Sequence, residues 1–226
     1  MDFLARNKVF ISVIAITLAL LFGGVFLMSR GGSNSSSPKQ FSSEVLAPAD
    51  SEKTSGIVNG VYQPATSSAS IVLVEFGDYQ CPACGVYHPF VKQLLTDLAG
   101  KVTFVFRNFP LSQHQNSNIS AYAAEAAGLQ GKFWQMHDKL YETQNDWSSS
   151  SDAKSIFQTY AKEMGLNMDQ FNKDIDSQAV RDLIKKGEND GNLVGLTATP
   201  TFYLNGVIME LPNTYAEFKA AVTSAK

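Results

Sequence analysis

The chain has 226 residues, 44% of them hydrophobic and 17% charged, with a formal net charge of −3. That balance excludes the sparse hydrophobicity of a disordered chain and the basic stripe of a nucleic-acid binder, so no nucleic-acid partner is expected. Two cysteines and three histidines are too few for a disulfide-built scaffold or a conventional structural zinc site.

Residues 1–30 read as an N-terminal signal anchor. Arg6 and Lys8 precede Val9–Met28, a run of 20 residues without a charge. At about 1.5 Å per residue the run spans about 30 Å, the hydrocarbon core of a bilayer. It exceeds the roughly 7–15 residues of a signal-peptide apolar region, and the A-x-A-like site Ala47-Pro-Ala49 lies far beyond it. A cleaved signal peptide is the alternative. Arg30 and Lys39 nearly balance Arg6 and Lys8, so flanking charge does not set the orientation. Residues 31–55 are small, polar and aperiodic and read as a flexible tether. Residues 56–226 have the size of one domain with a single core, and Gly56–Gln63 reads as an edge strand.

Ile71–Phe76 is a nearly continuous apolar run closed by Gly77-Asp78, the pattern of a strand buried on both faces. Cys81–Leu98 carries Val86, Phe90, Leu94, Leu95 and Leu98 at helical spacing. Pro82 falls in its first turn, Pro89 is expected to kink it, and Gly100 stands behind it. Val102–Phe106 is β-branched and aromatic. With a helix between, the two strands form a βαβ unit and are expected to be parallel. Helical segments follow at Ser120–Leu129, Lys132–Gln144, Asp152–Met164, Asp169–Ile175 and Gln178 to about Leu193, the last capped by Ser177. Trp134 and Trp147 read as packing residues. Near the C-terminus, Asn205-Gly206 turns a strand into Val207–Glu210, and Thr214-x-x-Glu217 is a capping box opening a helix to about Ser224.

The chemistry concentrates at Cys81-Pro82-Ala83-Cys84, at the mouth of the helix after the central strand. Residues i and i+3 in a first helical turn have Cα atoms roughly 5–6 Å apart, within disulfide range, so the pair can open and close with little backbone movement. Cys81 faces unpaired backbone N–H groups and the positive end of the helix, both favouring thiolate. Cys84, one turn in, is the resolving thiol. A structural staple is the weaker reading because so short a loop constrains the unfolded chain little. Zinc would need two of His88, His114 and His137, none in a paired spacing. No metal and no cofactor are therefore expected. His88 reads as lying near the rim, while His114 and His137 read as structural, and Asp78 and Tyr79 as turn-shaping. Glu75 interrupts the strand six residues before Cys81 and faces opposite to Val74 and Phe76; a buried carboxyl there would have a raised pKa.

A second motif lies at Thr197-Ala-Thr-Pro-Thr-Phe-Tyr-Leu-Asn-Gly206, where Thr199-Pro200 precedes an apolar strand and is a plausible cis-proline site. Cys-Pro-Ala-Cys after Val74-Glu-Phe76, with Thr199-Pro-Thr-Phe202 far downstream, resembles the thioredoxin fold, and more closely its DsbA-like branch. Arg107-Asn-Phe-Pro-Leu111 followed by His114, and Gly131-Lys-Phe-Trp134, are similar to that branch. The resemblance covers roughly residues 65–226.

It implies an α/β thioredoxin fold with a helical insertion at about 112–194, which the apolar run Val9–Met28 precedes with one expected transmembrane helix. It also implies that the proline loop lies beside the cysteines and binds an extended client, so Thr199, Pro200, Pro82 and Ala83 are the expected client-binding residues. An acidic residue beneath the cysteines is part of the family pattern, and Glu75 is expected to relay the Cys84 proton. The implied activity is extracytoplasmic thiol–disulfide exchange at the cell membrane, most simply oxidation of client thiols. Reduced client proteins and a membrane redox partner of DsbB or vitamin K epoxide reductase type are the implied partners. Strongly oxidising members carry a histidine between the cysteines, where this chain has Ala83. A reductase, or a non-catalytic module that binds a peptide or a metal at the cysteines, are the alternatives.

Overall fold

The strand that leads to the cysteines is the middle of a five-stranded sheet. In the computed structural model, residues 71–224 are described throughout, together with the backbone of β1 (Lys53–Thr54), β2 (Gly56–Val58) and β3 (Val61–Gln63). The expected membrane span and all but the end of the expected tether lie outside the described residues. Among the described residues no helix is long and apolar enough to cross a membrane.

β4 (Ile71–Gly77) is followed by α1 (Pro82–Asp97) and β5 (Val102–Asn108), and β4 and β5 pair in parallel from Ile71↔Val102 to Gly77↔Asn108. Both strands are buried almost throughout, Glu75 and Arg107 included, because other elements cover both faces, as parallel pairing requires. β6 (Thr201–Leu204) joins the other side of β4 antiparallel, and β7 (Val207–Met209) closes that edge, giving the order β1-β5-β4-β6-β7. Asn205 and Gly206, at φ 49° and 83°, make the tight turn between them. The hairpin is pinned to the sheet centre by Asn205, which donates its N–H to the Val72 carbonyl and accepts the Val72 N–H on Oδ1. Two residues counted at the end of the tether, Lys53 and Thr54, pair with Val105 and Phe104 as β1. The expected single edge strand at 56–63 is instead the β2–β3 hairpin, in a sheet of its own.

Alternation along β4 sends Val74 and Phe76 to one face, where they pack with Val105, Tyr203, Phe109 and Val194. Leu73 and Glu75 point to the other face, toward the larger core built on α1 and the helical insertion. The insertion comprises α2 (Ser117–Gly128), α3 (Phe133–Glu142), α4 (Gln144–Trp147), α5 (Ala153–Glu163), α6 (Met168–Asp174) and α7 (Gln178–Leu193). α2 buries five alanines, Ala121, Ala123, Ala124, Ala126 and Ala127, so neighbouring helices approach closely. The single helix expected over 132–144 breaks at Thr143, whose hydroxyl donates to the Lys139 carbonyl and competes with continued helical bonding. Ser177 accepts the Val180 N–H as expected of an N-cap. Thr214 and Glu217 make both bonds of a capping box at the start of α8 (Tyr215–Ser224).

α7 crosses β5 on a glycine. A Cβ at Gly187 would stand 2.4 Å from the Asn108 carbonyl oxygen, a backbone atom of a central strand. Gly187→Ala would gain about 1 kcal/mol of helix propensity, but the overlap costs more because the strand cannot retreat. The net result expected is a loss of about 2 kcal/mol, seen as a Tm lower by several degrees; an increase in Tm would show the helix free to shift.

Candidate active site

Cys81 is the N-cap residue of α1, with extended backbone (φ −68°, ψ 120°) and Pro82 opening the helix. No side chain caps this end and no acidic residue lies in its first turn, so the N-terminal N–H groups remain directed at the Cys81 sulfur. Both cysteines are free thiols. Cys84 is fully buried and Cys81 is 7% exposed, whereas Pro82 and Ala83 are at the surface. Val86, 60% exposed and three residues past Ala83, extends the apolar rim along the same helical face.

The proline loop meets this helix end because of strand register. Thr201 pairs with Phe76, which brings Thr199-Pro200 beside the C-terminal end of β4. The Thr199–Pro200 peptide is cis. Across 118 residues of sequence, Cys81 Sγ donates to the Thr199 carbonyl at 3.3 Å. Thr199 Oγ1 is buried without a partner in the thiol state and is available to donate to a thiolate.

These surroundings split the two thiols. Hydrogen bonding from the Cys84 thiol is the largest influence on Cys81, with further bonds from Thr199 and the backbone N–H groups of Cys84 and Ala83; burial opposes them, and the pKa falls from 9.0 to about 5. Burial is the main cause that pushes Cys84 well above 9.0, and the charge of Glu75 adds to it. Cys81 is therefore the thiolate at neutral pH and Cys84 the protonated reserve. Alkylation of Cys81 is expected to follow a titration centred near pH 5, measured by mass shift against time; a midpoint near 9 would remove the helix-end assignment. The stability of the reduced fold follows the same linkage. Folding depresses this pKa, so the stabilisation is complete above pH 9 and is lost as pH falls through about 5.

Glu75 lies in the core beneath the pair, 2% exposed, and its Oε1 has no hydrogen-bond partner. Burial, followed by the charge of Cys81, raises its pKa from 4.5 to about 8. Nearby, the wholly buried Tyr141 hydroxyl is also without a partner. Its pKa is pushed up by burial first and then by Cys84 and Glu75.

The turn before Cys81 is held from outside its own sequence. Asp78, wholly buried in its side chain, accepts from the Gln80 N–H (2.8 Å), the Leu111 N–H (3.0 Å) and His114 Nδ1 (2.6 Å). Gln144 Nε2, from α4, donates to the Tyr79 carbonyl at 2.6 Å and the Cys81 carbonyl at 3.0 Å. Gln80 donates from Nε2 to the Ser148 carbonyl and accepts the Asn116 N–H on Oε1. No local pattern marks Gln144 or Asn116, which act from 63 and 36 residues away. His88 is not at the rim. It lies four residues after the buried Cys84, hence on the same inward face of α1, and is 6% exposed against α3.

This site sits in a family context. The thioredoxin family model matches residues 65–224. The chain is 35% identical over 158 residues to the Na(+)/H(+) antiporter NhaA 1 of Salinispora arenicola, covering 70% of this chain and 23% of that protein. The chain thus spans under a quarter of the antiporter relative's length. It is 30% identical over 146 residues to the probable disulfide bond formation protein D of Bacillus cereus, covering 61% of this chain and 67% of that one. Among solved structures it is similar to oxidised BdbD from Bacillus subtilis, with a TM-score of 0.61 and 25% identity over 78% of this chain and 98% of that chain. The chain belongs to the thioredoxin family, in the DsbA-like branch of thioredoxin-fold oxidoreductases.

Proposed function

We propose that the chain is a membrane-tethered, extracytoplasmic thiol–disulfide oxidoreductase that oxidises client proteins through a Cys81–Cys84 disulfide. The observation that carries this reading is the stabilised Cys81 thiolate: a pKa near 5 favours the reduced form at neutral pH, which makes the disulfide a better oxidant. In the oxidative cycle, a client thiolate attacks Sγ of Cys81. The Cys81–Cys84 bond breaks and Cys84 leaves as a thiolate that takes up a proton. A second client thiolate then attacks the client sulfur of the mixed disulfide, expelling Cys81 as its stabilised thiolate. The client gains a disulfide and the chain gains two electrons, which a membrane partner of DsbB or vitamin K epoxide reductase type removes. Thr199, Pro200, Pro82 and Ala83 hold the client as an added extended strand at the exposed helix mouth. The expected residues 1–30 anchor the domain, which works where disulfides persist.

Glu75 is the proton acceptor for Cys84 when that thiol must attack. With a pKa of about 8, it exchanges protons near working pH. Glu75→Gln is expected to slow the attack of Cys84 on the mixed disulfide that Cys81 forms with the recharging partner by on the order of 10- to 100-fold, and to remove an inflection near pH 8 from the rate profile of that step. Folding raises this carboxyl's pKa, so its contribution to stability is lost as pH rises from 4.5 through about 8. The glutamine variant is accordingly expected to be the more stable protein above pH 8, and rates and stability matching the wild type would dismiss the relay.

The deciding experiment is the reduction potential of the full-length chain in graded glutathione buffers. A value above the roughly −270 mV of thioredoxin, toward the roughly −120 mV of DsbA, is expected of an oxidase. A value at or below thioredoxin's would make the chain a reductase, and the absence of a reversible couple would leave only a binding module.

A further inference from the structure

Behind the cysteines, where α1 packs on α3, a second group of chemically capable side chains faces a small, partly open cavity. His88 and Lys92 reach it from α1, and His137 and Asp138 from α3, with Phe104 and Trp134 among the apolar walls. One ligand atom from each of His88, His137 and Asp138 lies within 4.8 Å of the other two. His88 Nε2 and Asp138 Oδ1 are 3.3 Å apart, yet neither makes a hydrogen bond. Burying two such atoms without satisfying them is costly, and a shared ligand between them removes that cost.

We propose that His88, His137 and Asp138 form a binding site for one divalent transition ion, Zn2+ by donor type, which clasps the active-site helix to the helical insertion. Two imidazole nitrogens and one carboxylate oxygen are zinc donors. Bonds of about 2.0–2.1 Å in a tetrahedron put neighbouring ligand atoms about 3.3 Å apart, the separation His88 Nε2 and Asp138 Oδ1 already have. His137, whose ligand atom lies within 4.8 Å of the other two, completes the set by a small tilt of its ring. Its other ring nitrogen, Nδ1, is 3.1 Å from the Tyr79 hydroxyl. That contact fixes the ring as the outer partners of metal-bound histidines do, and leaves Nε2 for the ion.

Lys92 is the competing cation. Its ammonium lies 3.0 Å from Asp138 Oδ2, but it also pairs with Glu142 on the surface. It can keep Glu142 while Asp138 turns to the metal. The 14% exposure of the Asp138 side chain and 35% of Lys92 provide the entry path and room for a fourth, water ligand. The site uses neither cysteine, so it stands or falls separately from the redox reading.

The test is a Zn2+ titration of the full-length chain carrying Cys81→Ser and Cys84→Ser, which removes thiolate binding, against a chromogenic chelator. One Zn2+ per chain is expected, with a Tm that rises on loading. Asp138→Asn and His88→Gln on that background, near-isosteric changes checked for native circular dichroism, are each expected to weaken binding at least about 100-fold. That lies at or beyond the top of the roughly 10–100-fold typical of losing a merely supporting partner. Co2+ in place of Zn2+ should give the visible bands of a four- or five-coordinate site, lost in both variants. Absence of stoichiometric binding, or binding that both variants retain, would overturn the proposal. So would uptake that occurs only when the cysteines are restored.

Discussion

Cys84→Ser is expected to reduce turnover on a reduced, unfolded client to background, a loss on the order of a thousandfold or more. Cys81 keeps its place at the helix mouth in this variant, with the Thr199 carbonyl beside it and the helix N–H groups behind it. It therefore continues to form mixed disulfides with oxidised partners, but nothing inside the fold can resolve them, and covalent adducts accumulate. Part of the thiolate stabilisation also disappears, because the Cys84 thiol is the largest cause of the low Cys81 pKa. A serine hydroxyl replaces that donor incompletely, so the Cys81 titration should move upward from about 5. Non-reducing electrophoresis and mass spectrometry read the adducts directly. Full turnover by Cys84→Ser would mean that clients are oxidised without the internal disulfide. Turnover lost without adducts would mean that Cys81 is not the attacking group.

Trp147→Ala is expected to destabilise the domain by about 4 kcal/mol, or roughly 8–16 °C in Tm. Trp147 is fully buried, meets Phe157 edge-to-face at 5.1 Å, and donates its indole N–H to the Leu140 carbonyl at 2.9 Å. Removing it leaves a cavity and an unsatisfied carbonyl together. It also ends the short helix α4, which begins with the Gln144 that holds the Tyr79 and Cys81 carbonyls. The loss is therefore expected to reach the active site as a change in the Cys81 alkylation rate, beyond the shift in the urea midpoint. A midpoint unchanged from wild type would mean that the α3–α4 junction does not contribute to the main core.

What could be read in the chain was local or periodic. The buried strand, the helix starting at Pro82, the N-cap at Ser177, the capping box at Thr214 and Glu217, and the Asn205-Gly206 turn all depend on neighbours within a few residues. Each stands where its pattern placed it. That Glu75 faces opposite to Val74 and Phe76 also followed from simple alternation along β4. Boundaries fared less well: Thr143 interrupts an apolar helical pattern because its hydroxyl offers the backbone another partner.

The sequence by itself determined the cysteine pair at a helix mouth and, beyond residue 70, the order of strands and helices apart from the break at Thr143; the place of Pro200 beside the pair came from the family resemblance. The sequence could not determine what surrounds them. The Cys81–Thr199 contact, the Gln144 clamp, the anchoring of Leu111 and His114 on Asp78, and the inward His88–His137–Asp138 cluster join segments 33 to 118 residues apart. Hydrogen bonds and burial energies act over a few ångströms, and only the folded register brings such distant side chains within that range. The identity of the reactive atoms was thus local, whereas their protonation and positioning were decided by tertiary packing.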